Sequence, residues 1–159
     1  MNIISNSPTE TQSIARKLAG YLKPGDVIAL IGNLGSGKTV FVKGLARGLG
    51  CAKDVVVSPT FVILQRYKGK AVSLNHFDLY RLKDIEQLCK IGYEEYFYSD
   101  EVAVVEWADR IEEALPENYL RIELKALDQH RRLIKIIAKG KSREFHNILS
   151  KVAGKKPCG

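Results

Sequence analysis

The sequence predicts a three-layer α/β sandwich, in which helices cover both faces of a mainly parallel sheet with antiparallel additions. Segments with strand and helix patterns alternate along the chain, as they do in folds with parallel sheets. Two short runs, Val27–Ile31 and Val102–Val105, are apolar throughout, which is typical of strands buried on both faces. Three glycines between residues 32 and 37 follow the first run directly and precede a helical segment.

Length and composition fit one soluble domain with one buried core. The chain has 159 residues, of which 45% are apolar and 27% charged. No apolar run approaches the roughly 18 residues of a membrane span, and the first residues lack the pattern of an export signal. The three cysteines, Cys51, Cys89 and Cys158, suit neither a disulfide framework nor a zinc site. We therefore expect a cytoplasmic protein that does not engage a membrane.

The first helix has a clear start signal. Ser7 can cap it, Pro8 suits its first turn, and Glu10 can reach back to form a capping box. Apolar residues then recur with helical spacing as far as Leu22, and Lys23–Asp26 ends the helix.

The remaining elements are predicted from local patterns of apolar residues and turn signals. In chain order they are a helix from Lys38 to about Leu49, a β-like run to Tyr67, a strand within Ala71–Asp78, helical residues Asp84–Tyr98 broken near Gly92, the strand Val102–Val105, two strands in Asn118–Leu127 and Arg131–Ala138, and a helix to about Val152, with Ser142 as its candidate cap.

Charge divides the chain into an acidic middle and a basic end. Residues 84–117 hold eleven acids against two bases, whereas residues 131–159 hold nine bases against one acid. We interpret residues 1–140 as one folded domain and residues 141–159 as a C-terminal helix with a basic, mobile tail. Such a tail can attract nucleic acid, although a solvated terminus is the simpler interpretation.

The stretch Gly32–Thr39 matches the G-x-x-x-x-G-K-[ST] pattern of a phosphate-binding loop. Glycines leave the backbone N–H groups open to a polyphosphate, and the start of the following helix adds partial positive charge. The Lys38 ammonium can reach the β- and γ-phosphates, and the Thr39 hydroxyl can ligate Mg²⁺. The residues expected against the nucleotide are Asn33, Leu34, Gly35, Ser36, Gly37, Lys38, Thr39 and Val40.

A magnesium ion beside a triphosphate needs a further hard oxygen ligand at the end of a neighbouring strand. Glu106 and Asp78 each end a predicted strand, and the residues alone do not choose between them. Thr60, in the segment Val57–Phe61, is a candidate sensor of the γ-phosphate. A proline-fixed turn that satisfies its own backbone explains Thr60 equally well.

Four motifs, in this order, resemble those of the bacterial TsaE family, formerly called YjeE. They are GNLGSGKT, SPTF, HFDLYR and VEWADR, and the similarity covers roughly residues 7–138. The resemblance implies a small ATPase with a P-loop NTPase-like fold that uses ATP and Mg²⁺. It also implies a role in making threonylcarbamoyladenosine beside the anticodon of tRNA. The partners it implies are TsaD and TsaB, with tRNA contacted indirectly or through the basic tail.

The resemblance also implies roles for individual residues. Lys38 and Thr39 would hold phosphate and Mg²⁺, Glu106 would be a metal ligand, and Asp78 would support hydrolysis by placing water. Thr11 aligns with a position close to the nucleotide. Asn33 and Ser36 depart from the family loop, which more often has Asp and Ala there; both are expected to project away from the phosphates.

Three other polar or aromatic features have competing interpretations. Arg131 is taken as the cation that approaches phosphate, although the sequence does not separate it from Arg132. His76 is expected to be a hydrogen-bonded structural histidine rather than a catalyst. A packing role for Trp107 competes with contact to a nucleotide or partner.

Catalysis by the chain alone is expected to be slow and to be stimulated by partners, because no clear arginine finger is visible. Three other functions stay open: a small-molecule kinase on the same loop, a GTPase, and a nucleotide-dependent adaptor without activity. The sequence shows neither the arginine-rich lid expected of such a kinase nor the N/T-K-x-D loop expected of a GTPase.

Overall fold

A seven-stranded mixed sheet forms the centre of the computed structural model, which describes residues 1–52, 56, 63–140 and 143–152. The strands are β1 (Asn2–Ser5), β2 (Val27–Ile31), β3 (Leu64–Tyr67), β4 (Leu74–Asp78), β5 (Val102–Glu106), β6 (Tyr119–Ala126) and β7 (Arg132–Lys139). Their order across the sheet is β1-β7-β6-β2-β5-β4-β3.

The four central strands are parallel, and the outer strands are antiparallel additions. Strand β2 runs parallel to both β5 and β6, and β4 runs parallel to β5. Strands β3, β7 and β1 each pair antiparallel with a neighbour. The predicted mixture of parallel and antiparallel pairing is therefore confirmed. Strand β1 was not predicted, and it pairs along β7 with Ile3 opposite Ile134.

Helices cover both faces of the sheet. They are α1 (Pro8–Ala19), α2 (Lys38–Gly48), α3 (Ile85–Lys90), α4 (Tyr93–Phe97), a 3-10 helix (Ala108–Ala114) and α5 (Arg143–Val152). Among the described residues, none of these helices has both the length and the apolar character needed to span a bilayer.

The start of α1 is as predicted at its cap and differs at Glu10. The Ser7 hydroxyl accepts a hydrogen bond from the Glu10 amide at 3.1 Å, as a helix cap does. The Glu10 carboxylate, however, accepts from the Asn6 amide at 2.7 Å, one residue before the position that a capping box uses.

Alternation along β2 separates two apolar cores. Ile28 and Leu30 face the core beneath α1, α2 and α5, whereas Val27 and Ala29 face the core beneath α3, α4 and the 3-10 helix. This arrangement confirms the three-layer prediction. Because β2 is flanked by strands on both sides and helices on both faces, a run without polar residues is what its position requires.

Candidate functional site

The loop Gly32–Thr39, called here the glycine loop, joins the carboxyl end of β2 to the start of α2. Gly32 has φ +152°, and a Cβ there would lie 2.3 Å from the Leu124 carbonyl oxygen. Gly37 has φ +100°, and a Cβ there would lie 2.7 Å from Arg132 Nε. Neither position accommodates a side chain, so the loop keeps its backbone exposed in a tight turn.

The glycine loop presents hydrogen-bond donors where helix α2 begins. Gly37 is the helix cap and provides no side-chain partner for the first amides of α2. The Ser36 hydroxyl is buried and has no hydrogen-bond partner among the described residues. Open amides at a helix start favour an anion, and the helix dipole adds to the attraction.

The side chain of Lys38 folds back over the start of the glycine loop. Its side chain is only 5% exposed, and Nζ donates to the carbonyls of Gly32 at 2.6 Å and Asn33 at 3.1 Å. The ammonium also lies 3.7 Å from the centre of the Trp107 ring. Burial lowers the pKa of Lys38, whereas the charges of Glu106, Asp78 and Asp109 oppose that shift.

Glu106 links the glycine loop to the sheet. The Thr39 hydroxyl donates to its carboxylate, with Oγ1 at 3.0 and 3.1 Å from the two oxygens. On the other side, His76 Nε2 lies 2.8 Å from Glu106 Oε1. His76 and Glu106 are 0% and 2% exposed, so a chain of hydrogen bonds runs from the partly buried Thr39 to the buried His76.

His76 is hydrogen-bonded, as expected, and its geometry selects a tautomer. Its Nδ1 is buried and has no partner among the described residues. An unpaired buried N–H costs more than an unpaired lone pair, so we assign the proton to Nε2. His76 then donates to Glu106 and orients the carboxylate toward Thr39.

Asp78 ends the strand next to Glu106. The two residues are register partners in the parallel pair of β4 and β5, where neighbouring strands lie about 4.8 Å apart. Asp78 is 8% exposed, and Oδ1 accepts a hydrogen bond from the Tyr80 amide at 3.0 Å. The two carboxylates thus lie on neighbouring strands, at the carboxyl ends of β4 and β5 and near Thr39.

A cavity of about 350 Å³ lies over these groups. The side chains and loop residues that line it are Leu34, Gly35, Gly37, Lys38, Thr39, Val40, Asp78, Tyr80, Glu106, Trp107 and Arg132. Trp107 is the only residue other than glycine with positive φ in the described ranges, at +61°. That conformation starts the 3-10 helix and places the ring between Lys38 and Tyr80, whose ring centre is 5.0 Å away.

A family profile described as "Threonylcarbamoyl adenosine biosynthesis protein TsaE" matches residues 5–134. The chain belongs to the TsaE family. It is 44% identical over 139 residues to the TsaE protein of Bacillus subtilis (strain 168), a match that covers 87% of this chain and 86% of the relative. The TsaE protein of Treponema pallidum (strain Nichols) is 39% identical over 136 residues, covering 86% of this chain and 99% of the relative.

The fold agrees with this assignment to TsaE. The crystal structure of YdiB from Bacillus subtilis matches with a TM-score of 0.82 and 35% sequence identity. The match covers 97% of this chain and 94% of YdiB. The curated relatives are named tRNA threonylcarbamoyladenosine biosynthesis proteins, so the resemblance seen in the four sequence motifs is confirmed.

The structure brings together most of the residues that the sequence predicts to bind a nucleotide. Lys38, Thr39, Asp78 and Glu106 line one cavity, together with loop residues on both sides of Gly35. Of the other predicted loop residues, Asn33 provides a carbonyl to Lys38, and Ser36 is buried. Thr60 and the rest of the SPTF motif lie outside the described residues.

Thr11 does not line this cavity. It is fully buried in α1, and its hydroxyl lies 2.8 Å from the Ser5 hydroxyl and 3.2 Å from the Ser7 carbonyl, to which it donates. These bonds connect the start of α1 to the end of β1.

The arginine at the glycine loop is Arg132, whereas the sequence interpretation chose Arg131. Arg131 turns away, and its Nε donates to Asp128 at 2.6 Å in the hairpin between β6 and β7. Its amide and guanidinium together hold the pKa of Asp128 well below the usual range. Arg132, the first residue of β7, lies against Gly37, and its Nε is buried without a partner among the described residues. Alternation at the start of a strand sends adjacent side chains to opposite faces, and the sequence does not show which face meets the loop.

Proposed function

We propose that this TsaE-family protein binds ATP with Mg²⁺ at the glycine loop and hydrolyses it. The TsaE family acts in the biosynthesis of threonylcarbamoyladenosine in tRNA. The observation that carries the proposal is the contact of the Thr39 hydroxyl with the Glu106 carboxylate. This contact sets a hydroxyl and a carboxylate oxygen side by side at the start of α2, which is the pair of oxygen ligands that P-loop enzymes use for Mg²⁺.

The residues present fit both ATP and Mg²⁺. At Gly35 no atom lies within 4 Å of the place where a Cβ would stand, so the loop backbone is open there, and the buried Ser36 hydroxyl beside it has no hydrogen-bond partner among the described residues. No group of three His, Cys, Asp or Glu side chains in the described part of the chain could hold a metal ion by itself. Mg²⁺ would therefore depend on Thr39, Glu106, phosphate oxygens and water, a ligand set that Mg²⁺ commonly accepts.

Each residue has a separate task in the proposed hydrolysis. The loop amides and the Lys38 ammonium bind the phosphates, while His76 keeps the Glu106 carboxylate oriented. Asp78, fixed by the Tyr80 amide, positions the attacking water. Trp107 covers Lys38 and limits the access of bulk water to its ammonium. When bound, Mg²⁺ would supply charge neutralisation at the phosphate oxygens.

We further propose that the nucleotide cycle regulates or resets the transferase formed by TsaD and TsaB. The family role in tRNA modification supports this placement.

Phosphate release from ATP tests this function, measured for the chain alone and then with TsaD, TsaB and tRNA. We expect slow release alone and stimulation by the partners. Lys38→Met should abolish the stimulated rate, because it removes the ammonium while largely filling its buried volume. Lys90→Met, an exposed site on α3, is the matched control. If the complete mixture releases phosphate no faster with the wild type than with Lys38→Met, the ATPase assignment is wrong. A fast wild-type rate that partners do not change contradicts the regulatory role.

Neighbouring arginines give a second test of the same site. Arg132→Ala should weaken ATP binding roughly 10-fold or more, because a charge-assisted bond to phosphate contributes about 1.5–3 kcal/mol. Arg131→Ala should leave the affinity within about twofold, since its guanidinium is engaged with Asp128. Calorimetric titration with a non-hydrolysable ATP analogue measures both constants. Equal effects of the two substitutions would refute the distinction.

A further inference from the structure

Charge is segregated between the two helical layers. On α1 and α2 the exposed charged side chains are Arg16, Lys17, Lys43 and Arg47, opposed only by the partly buried Glu10. On the opposite layer, the exposed acids of α3, α4 and the 3-10 helix are Glu86, Glu94, Glu95, Asp109, Glu112 and Glu113, against Lys90 and Arg110. The sheet therefore separates a basic helical layer from an acidic one.

The helices of the basic layer approach each other at backbone distance. A Cβ on Gly44 would lie 2.4 Å from the Gln12 carbonyl oxygen, and one on Gly48 would lie 2.7 Å from the Arg16 carbonyl oxygen. Gly44 follows Lys43, and Gly48 follows Arg47. The missing side chains thus let the two helices that carry these cations pack closely together.

We call Arg16, Lys43 and Arg47 the basic groove. Lys43 and Arg47 are four residues apart and share one side of α2. Arg47 reaches across to α1, where Nη1 hydrogen-bonds Gln12 Oε1, one turn before Arg16. In the described residues, neither Arg16 nor Lys43 is in an ion pair. The basic groove therefore carries three exposed cations on two helices that pack against each other.

We propose that the basic groove binds the phosphate backbone of tRNA. Arg and Lys side chains make the backbone contacts of proteins with nucleic acids. Protein interfaces also use Arg, but they are depleted in Lys and enriched in aromatic and other large apolar residues at their centre. The exposed large apolar residues of the described chain are Ile4, Leu34, Tyr80, Tyr98 and Leu127, and none of them lies on α1 or α2. Charge and composition together favour RNA over a protein partner at this surface.

This inference extends the proposed function and rests on the tRNA partner named there, but not on ATP hydrolysis. The basic groove contains none of the residues assigned to the nucleotide site. Binding of RNA and binding of nucleotide can therefore fail separately, and each is measurable in the same variants.

Fluorescence anisotropy with a labelled, unmodified tRNA transcript tests the basic groove. The full-length wild-type chain should bind with an affinity that falls as salt rises. Lys43→Glu with Arg47→Glu should weaken binding at least 10-fold at low salt. The slope of log K against log salt should become shallower by roughly 1.5, because each lost phosphate contact removes about 0.7–0.9.

A double reversal on the acidic layer is the matched control. Lys83→Glu with Lys90→Glu changes the net charge by the same amount at exposed positions near the acidic helices. It should alter tRNA affinity less than threefold. Lys43→Gln with Arg47→Gln repeats the test without introducing acids, and thermal melts with ATP-analogue binding confirm the fold of every variant.

Three outcomes would overturn the proposal. The wild-type chain could fail to bind tRNA, the two double reversals could weaken it equally, or the groove variant could lose TsaD and TsaB while tRNA binding is unchanged. The last result would identify the groove as a protein interface. Loss of ATP-analogue binding by the wild type would instead count against the nucleotide site alone.

Discussion

In the Glu106→Gln variant, ATP hydrolysis in the presence of TsaD, TsaB and tRNA is expected to fall by about 10²–10³-fold. A Mg²⁺ ligand contributes several kcal/mol to stabilisation of the transition state, and each 1.36 kcal/mol changes the rate about tenfold. Glutamine keeps the volume of the buried side chain but removes its charge. It also replaces one of the two carboxylate oxygens that the Thr39 hydroxyl contacts with an NH₂ group, which cannot accept a hydrogen bond or ligate a metal ion. Phosphate release measured across a Mg²⁺ titration should show a higher Mg²⁺ requirement as well as a lower rate.

A glutamate just outside the same strand provides the control for this variant. Glu101 directly precedes β5, at the end opposite Glu106, and its carboxylate bonds Arg66. Glu101→Gln should leave the rate within about twofold, since surface ion pairs contribute little. If the hydrolysis rate of Glu106→Gln stays within threefold of the wild-type rate, the assignment of Glu106 as a metal ligand is wrong. It is also wrong if Asp78→Asn alone raises the Mg²⁺ requirement.

Sequence was sufficient for the features that depend on local chemistry. The glycine loop was readable because only glycine tolerates the backbone at Gly32 and Gly37. Strand β2 and the first four residues of β5 could be predicted because burial on both faces leaves them without polar residues. The cap at Ser7 was readable because its hydrogen bond joins residues three apart.

Features that depend on pairing between distant segments were not readable. Strand β1 has four residues, and only Ser5 is buried, so it shows no apolar alternation. It forms because β7, more than 120 residues later, offers a free edge, where Ile136 and Met1 exchange backbone bonds.

Dependence on distant segments also explains why the sequence did not choose between Asp78 and Glu106, or between Arg131 and Arg132. Both Asp78 and Glu106 were candidates for the metal, and the register of β4 with β5 shows why: they end neighbouring strands at the same level. Thr39 contacts Glu106, a relation across 67 residues that no local pattern reveals. The sequence predicts Arg131 at the phosphates, whereas Arg132 lines the cavity. Which side chain points toward the glycine loop at the start of β7 depends on the residues packed around it, and these are distant in sequence.

Gly32→Ala should give the largest loss of stability among substitutions in the glycine loop. The new methyl group would stand 2.3 Å from a backbone oxygen of Leu124, and backbone in β6 cannot move aside without disturbing the sheet. Strain at positive φ and overpacking cost about 1–3 kcal/mol each, so we expect a loss of about 2–4 kcal/mol. At roughly 2–4 °C for each kcal/mol, the Tm should fall by about 5–15 °C.

Alanine substitutions at two other glycines separate the cost of backbone strain at positive φ from the cost of a steric clash. Gly35 has φ +77°, and no neighbouring atom lies within 4 Å of the place where a methyl group would stand, so Gly35→Ala should cost only the strain of about 1–2 kcal/mol. Gly20 has φ −65° and only an ordinary contact at 3.5 Å. Gly20→Ala should therefore be neutral or stabilise the fold by about 0.4–1 kcal/mol, through the unfolded chain.

Thermal and urea unfolding of the three variants rank these costs, and ATP-analogue titration shows which of them reach the site. Gly32→Ala must either break the loop or displace Leu124, and the Gly32 carbonyl that accepts from Lys38 moves in both cases. Its nucleotide affinity should consequently fall even at temperatures where the protein remains folded. Equal stability of Gly32→Ala and Gly35→Ala would show that the loop relaxes freely. The close fit of the glycine loop against β6 would then not be what shapes the proposed phosphate site.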